Sequence, residues 1–592
     1  MESEVRKRES AKSHNGTEIE MDDVPKQNGQ NGVNSEVTFE PLDHDPSGWL
    51  ETTLASVGSS TEDFFKKNSS SFGIVMSFVL NGLVIGYFIG CLYYYLEYTD
   101  APLYLCEGFG SLIAFLGIIY FFLIYFYVVK RYFGAWLSKN VYSNIGAAGN
   151  FVWRFMWLRL ILSVALLVGI AIFLYVDTRD QPERLISLSG IGIILLLGFV
   201  FSKHPSRIAW RTVCSGLLLQ FTFALLFIRW DPGRTALQCF SDKVATFLSY
   251  GIEGAAFAFG DLLVRTENVF AFGSLPVIFF FSMLVEVMFY WGALQWFCTK
   301  LGELLQTATA TTVCESVIAV ANCFLGMTES VLLIKAYIRV LTPSELHVVM
   351  ASGFATVSGT ILATYISFGA EPAHLVTASV MSAPAALCYA KLLMPETKRS
   401  LTAVDNIQPV VSEDQSALSA ATRGATNGIA LILNIIANIV AFVSFIAFAN
   451  GVLGYCGGLL GHPHLNLEWI FGKVFIPLCY VMGVPWDECE LVGSLVGLKT
   501  VVNEFVAYQR MGEMKRDGLL SPRGEIVATF ALCGFTNPSS MGIMIGALAA
   551  MAPNQREALS SVALRALFAG CGICFLNACF ASLLMPGDSF RA

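Results

Sequence analysis

Residues 322–330 read Asn-Cys-Phe-Leu-Gly-Met-Thr-Glu-Ser, and residues 503–508 read Asn-Glu-Phe-Val-Ala-Tyr. Each string interrupts an apolar segment, the first over 307–337 and the second over 484–508. Each is followed by a Gly-Phe string that carries hydroxyls and amides into another apolar run. These are Gly-Phe-Ala-Thr-Val-Ser-Gly-Thr-Ile at 353–361 and Gly-Phe-Thr-Asn-Pro-Ser-Ser at 534–540. Irregular backbone at membrane depth persists only where protein buries it or where it lines a cavity. Two broken segments at corresponding positions are the sequence mark of a transporter site formed from internal repeats.

The rest of the chain agrees with a membrane setting. Of 592 residues, 55% are hydrophobic and only 14% charged, with a mean hydropathy of +0.60. Soluble globular chains carry about 25% charged residues. The 46 Phe and 51 Gly suit lipid-facing helices, where Gly is commoner than in soluble ones. The net charge of −8, from 37 basic and 45 acidic residues, leaves no basic face for nucleic acid. A soluble enzyme and a nucleic-acid binder are both excluded. The 15 cysteines are scattered singly, mostly inside apolar runs, and suggest no disulfide framework.

Residues 1–70 are rich in Ser, Asn, Asp, Glu and Lys and read as a disordered tail, because they cannot bury enough surface to offset their ordering entropy. Beyond them come apolar stretches of about the 20 residues a bilayer requires, at 72–96, 111–129, 158–176, 185–201, 212–228 and 275–297. Lys66, Lys67, Lys130, Arg131, Lys139, Lys203, Arg207 and Arg211 fall on the side of the tail, which places the N-terminus in the cytoplasm. A short small-residue-rich segment, 412–426, reads as a connecting amphipathic helix along the membrane surface.

Glu329 and Glu504 sit in apolar context, where a charge costs on the order of 3 kcal/mol. A functional role is the default reading; a structural ion pair with Lys335 or Lys499, or a surface loop, is the alternative. A carboxylate accepts two hydrogen bonds at once, which suits vicinal sugar hydroxyls or the N–H edge of a base. Asn322, Leu325, Thr360 and Ile361 offer amide, hydroxyl and free carbonyl oxygens of the kind a hard cation takes. Thr and Asn at a helix break also serve as caps, and that reading stays open. Glu286 and Glu315 suit helix packing or ion entry equally, and His204, His347 and His374 read as interfacial. No phosphate-binding loop, HExxH or nucleophile elbow is present, so a secondary transporter fits better than an ATP-driven pump or an enzyme.

From about residue 158 onward the chain resembles the concentrative nucleoside transporter family. The strings that carry the resemblance are Gly-Met-Thr-Glu-Ser at 326–330, Ser-Glu-Leu-His at 344–347 and Tyr-Ile-Ser-Phe-Gly at 365–369. Others are Thr-Ala-Ser-Val-Met-Ser-Ala-Pro-Ala at 377–385, Asn-Glu-Phe-Val-Ala-Tyr at 503–508 and Cys-Gly-Phe-Thr-Asn at 533–537. The resemblance implies an all-α polytopic fold of about eleven transmembrane helices with two re-entrant hairpins, and a homotrimer in the plasma membrane. A scaffold domain (181–300 and 401–470) would support a transport domain (301–400 and 471–555), with accessory helices at 71–180 and a last helix at 556–592. It implies that Met327, Thr328 and Glu329 meet the nucleobase, that Glu504, Asn537 and Ser540 hold the ribose hydroxyls, and that Asn322, Leu325, Thr360 and Ile361 hold sodium. No cofactor other than that coupling ion is implied. Many members of the family carry Gln where this chain has Met327; purine-preferring animal members resemble it in having Gly-Met. A thioether lacks the paired hydrogen bonds of an amide, so purine nucleosides are expected to be preferred. A proton-coupled nucleoside symporter is the nearest alternative, and a channel, a receptor or an intramembrane enzyme the more distant ones.

Overall fold

The structure, a computed structural model, describes residues 49–99, 103–133, 156–267, 269–402, 412, 414–462 and 464–585, and no strand occurs among them. Two compact units divide the chain, one reaching Leu116 and one beginning at Gly117.

In the first unit α1 spans Trp49–Tyr98, and α2 (Gly108–Ile124) begins there and ends in the second. At 50 residues α1 is about 75 Å long, against a hydrocarbon core of about 30 Å. Only Val75–Tyr98 is apolar enough to cross. The helix thus takes in residues 49–70, which corrects their reading as disordered. No proline interrupts them, and once the apolar span has nucleated, each added residue contributes a bond without a new nucleation cost. Residues 1–48 lie outside the described residues.

The second unit opens with α3 (Met156–Asp177), α4 (Ile186–Val200), α5 (Trp210–Ala224), α6 (Asp231–Phe259) and α7 (Val277–Tyr290). The apolar stretch 275–297 is not one span. Gly292 takes a left-handed backbone with φ 71°, which ends α7 and starts α8 (Ala293–Thr309). Hydropathy alone could not show this break, because both sides of it are apolar. Cys106 and Cys239 are each disulfide-bonded, although the scattered cysteines suggested no disulfide framework.

The two interrupted segments follow one plan. In the first, α9 (Val313–Ala321) ends at Asn322, a short 3-10 turn follows at Ser330–Ile334, and α10 (Pro343–Phe354) breaks before α11 (Gly359–Ser367). After α12 (Pro372–Leu393), α13 (Ala417–Leu459) and α14 (Leu467–Met482) comes the second. Here α15 (Cys489–Val501) breaks before α16 (Glu504–Arg516), and α17 (Pro522–Leu532) breaks before α18 (Pro538–Met551); α19 (Arg556–Leu584) closes the unit. The segment 412–426 is not a separate surface helix: from Ala417 it forms the opening turns of α13, which runs unbroken for 43 residues.

Among the described residues eight helices are long and apolar enough to cross a membrane. Gly108–Ile124, Ser163–Asp177 and Pro538–Met551 are shorter apolar helices, in keeping with the polytopic all-α fold. Burial separates them sharply. The most apolar windows of Pro343–Ser367, Pro372–Leu393 and Pro553–Leu584 are each 89% buried, whereas that of α13 is 17% buried. The buried helices pack at close range: a Cβ on Gly572 would stand 2.3 Å from the Tyr389 ring. Asn577 ties α19 to α5 and α12, accepting from Gln220 Nε2 at 2.7 Å and donating to Ser382 Oγ at 2.8 Å. Buried side-chain hydrogen bonds of this kind fix helix register in an apolar core.

Candidate functional site

The four breaks converge on one cavity of about 260 Å³. Met327, Thr328, Glu329, Glu504, Asn537 and Ser540 all line it, as do Thr360 and Ile361. The six residues expected to meet substrate come from two halves of the chain and share one space.

The breaks also explain how each polar group is held. Asn537 is the N-cap of α18: its Oδ1 accepts the backbone N–H of Ser540 at 2.9 Å, and its Nδ2 donates to Glu504 Oε2 at 2.6 Å. Glu504 is the first residue of α16, behind the N-cap Asn503, where the positive end of the helix dipole favours a carboxylate. Glu329 is held differently. Its Oε2 accepts the N–H of Gly326, three residues back in its own turn, at 3.0 Å. Neither carboxylate is in an ion pair among the described residues. Lys499 Nζ instead donates to the carbonyl of Ala531 at 2.8 Å, and Lys335 is exposed. Both carboxylates keep acceptor capacity facing the cavity.

Next to them lie the candidate cation ligands. Asn322 is fully buried; its Nδ2 donates to Ser352 Oγ at 3.0 Å and its Oδ1 accepts from Ser330 Oγ at 2.6 Å. The N–H of Gly359 donates to the carbonyl of Phe324 at 3.3 Å, which brings the 322–325 turn against the start of α11. There Thr360 shares a short hydrogen bond with Ser358, the N-cap. The Ser358 cap accounts for the local helix start, so Thr360 is not needed as a cap. The donor set holds neutral oxygens only, and among the described residues no group of three or more His, Cys, Asp or Glu could hold a metal ion. Neutral oxygens suit a monovalent alkali cation better than a carboxylate-seeking divalent one.

A second cavity of about 440 Å³ shares Thr328, Glu329 and Leu431 with the first. Glu286 of α7 stands in it, paired with Arg423 of α13 at 3.0 Å and accepting from Asn427 Nδ2 at 3.2 Å. Glu315 lies elsewhere, in a capping box with Thr312 and in a 2.6 Å ion pair with Lys391, so it serves packing. His204 is exposed, but His347 is fully buried, which corrects its interfacial reading. Pro343 starts α10 just ahead of it, and nearly every side of that helix is covered.

Sequence reading missed Asn434 and Asn438 of α13, which also line the first cavity. Two amides one helical turn apart within Leu-Ile-Leu-Asn-Ile-Ile-Ala-Asn-Ile at 431–439 are the signal that could have found them.

Known proteins carry the same plan. Residues 189–262 match the family profile described as Na+ dependent nucleoside transporter N-terminus, 271–372 the one described as nucleoside recognition, and 374–582 the one described as Na+ dependent nucleoside transporter C-terminus. Sodium/nucleoside cotransporter 1 of Oryctolagus cuniculus is 42% identical over 443 residues, 72% of this chain and 67% of that one. Solute carrier family 28 member 3 of Homo sapiens is 40% identical over 446 residues, 73% of this chain and 64% of that one. A solved structure of CNTnw in an inward-facing substrate-bound state is 36% identical, with a TM-score of 0.66, over 69% of this chain and 99% of that one.

Proposed function

Since this chain belongs to the sodium-dependent nucleoside transporter family, a family of transporters and not of enzymes, we propose that it is a sodium-coupled symporter that imports purine nucleosides. The observation that carries this reading is the convergence of Glu329 and Glu504, one from each broken half, on a single cavity with Asn537 and Ser540. Carboxylates from the two halves lining one cavity can each take two N–H or O–H donors. A nucleoside presents such donors at both of its ends, on the base edge and on the vicinal ribose hydroxyls. We assign the base to Met327, Thr328 and Glu329 and the ribose to Glu504, Asn537 and Ser540. The adaptable apolar surface of Met327 supports the larger purine ring.

Sodium, on this reading, is cargo. It enters the neutral oxygen set of Asn322, Leu325, Thr360 and Ile361 and orders the turn that carries Met327 to Glu329. Substrate then spans the two halves, which act as re-entrant hairpins, and the site opens alternately to either side. The membrane potential contributes about 2.3 kcal/mol per charge per 100 mV. The cytoplasmic N-terminus, the plasma-membrane location and the homotrimer belong to the same proposal.

The test is uptake of labelled adenosine into cells lacking nucleoside transport, in sodium or choline medium at two pH values. The expected result is saturable, sodium-dependent accumulation above the outside concentration. Uptake indifferent to sodium but driven by acid pH would replace sodium with the proton. No uptake in any medium, with the protein at the cell surface, would overturn the substrate assignment.

A further inference from the structure

Asn434 and Asn438 stand at i and i+4 on α13, inside an apolar run, and both line the cavity that holds Glu329 and Glu504. Neither carboxamide has a hydrogen-bond partner among the described residues. Asn427, on the same helix, is satisfied by Glu286 at 3.2 Å in the adjoining cavity. With about 3.6 residues per turn, positions 427, 434 and 438 fall within roughly 40° of arc. They form a polar stripe within the apolar stretch of α13. Asn434 is exposed and Asn438 half-buried, so both carboxamides are open to hydrogen-bond a solute in the cavity.

We propose that Asn434 and Asn438 hydrogen-bond the transported nucleoside from the side opposite the broken helices, and so complete the specificity of the site. This rests on the symport reading above. A carboxamide both donates and accepts, so it complements the carboxylates, which only accept: the ring nitrogens and carbonyl oxygens of a base need donors, and Glu329 and Glu504 supply none. Leu431, where the two cavities meet beside Thr328 and Glu329, is one turn from Asn434 and two from Asn438. Asn434 is therefore assigned to the base and Asn438 to the ribose. α13 is unbroken, while every other residue assigned to substrate lies on a broken element. Neutral amides spaced about 6 Å apart along one rigid helix let a solute exchange one modest bond for the next as the broken elements move past. A charged residue there would hold it.

The test uses the full chain with Asn434→Leu, Asn438→Leu and the corresponding Ser variants, measuring KM and Vmax for adenosine and for its 2′-deoxy analogue, with surface protein quantified. Each Leu variant is expected to raise the adenosine KM about threefold to tenfold, with half-saturation by sodium unchanged, and Ser to recover part of the loss. Asn438→Leu should also narrow the preference for adenosine over its deoxy analogue, and Asn434→Leu should not. Wild-type transport with unchanged KM in both Leu variants would overturn this inference alone. So would loss of Vmax and of surface protein in the Leu and Ser variants alike, since that marks a helix-packing role. A wild-type chain that neither transports nor binds adenosine would instead remove the symport reading, and this assignment with it.

Discussion

The two broken halves share a chain plan but bury their charge in opposite places. In the first half the dry charges lie away from the cavity. Glu315 and Glu345 each close a capping box, at the starts of α9 and α10, and both carboxylates are fully buried. Lys391 joins Glu315 at 2.6 Å and Ser344 at 3.0 Å. In the second half the buried carboxylate, Glu504 bonded to Asn537, lies at the cavity, Lys499 is buried against the carbonyl of Ala531, and the outer pair, Lys515 with Glu525, is partly in water with side chains 40% and 16% exposed. Repeated topology therefore does not impose repeated energetics. The first half buries an ion pair remote from the cavity, while the second places a buried carboxylate at the cavity itself.

This contrast is open to attack at several points. The largest expected effect is at the remote ion pair: Lys391→Met strands the buried carboxylate of Glu315, at a cost of about 3 to 5 kcal/mol, and should lower the melting temperature of the purified protein sharply. Lys515→Met, the matching change in the second half, should cost under about 1 kcal/mol because the pair is wet. Equal losses from the two would erase the comparison. Next comes Glu504→Gln, which removes the charge-assisted acceptor we propose for the ribose hydroxyls, worth roughly 1.5 to 3 kcal/mol per bond. Adenosine uptake should fall about a hundredfold while the melting temperature changes little. A smaller effect belongs to Asn322→Leu, expected to raise the sodium concentration for half-maximal uptake about tenfold, as one oxygen ligand is lost. An unchanged sodium activation curve would remove Asn322 from the cation set. The smallest is Met327→Gln, where a restored amide should raise thymidine uptake relative to adenosine about threefold. Wild-type protein that carries both equally well would defeat the purine assignment before any variant is made.

The broken segments were legible because lipid makes them so. A carboxylate such as Glu329 or Glu504 in an apolar run, or an Asn-Pro pair such as 537–538 inside one, needs a reason, and few exist at membrane depth. Gly292 was not legible as a break, since hydropathy does not register a left-handed backbone between two apolar stretches. Neither was the Glu315 and Lys391 pair, whose members are 76 positions apart in the chain and meet only when α9 packs beside α12. Asn434 and Asn438 fell between these cases. Their spacing was visible, but only the packing of α13 against the cavity gives them something to face.

Composition and interruption, by themselves, determined that this is a polytopic helical membrane protein with two working halves, because transfer into lipid penalises every exception to an apolar helix. What only the tertiary structure decided is which exceptions meet. Glu504 finds Asn537, Glu315 finds Lys391, and two amides of an unbroken helix line the cavity, since contacts between distant segments depend on how helices pack and not on how they read.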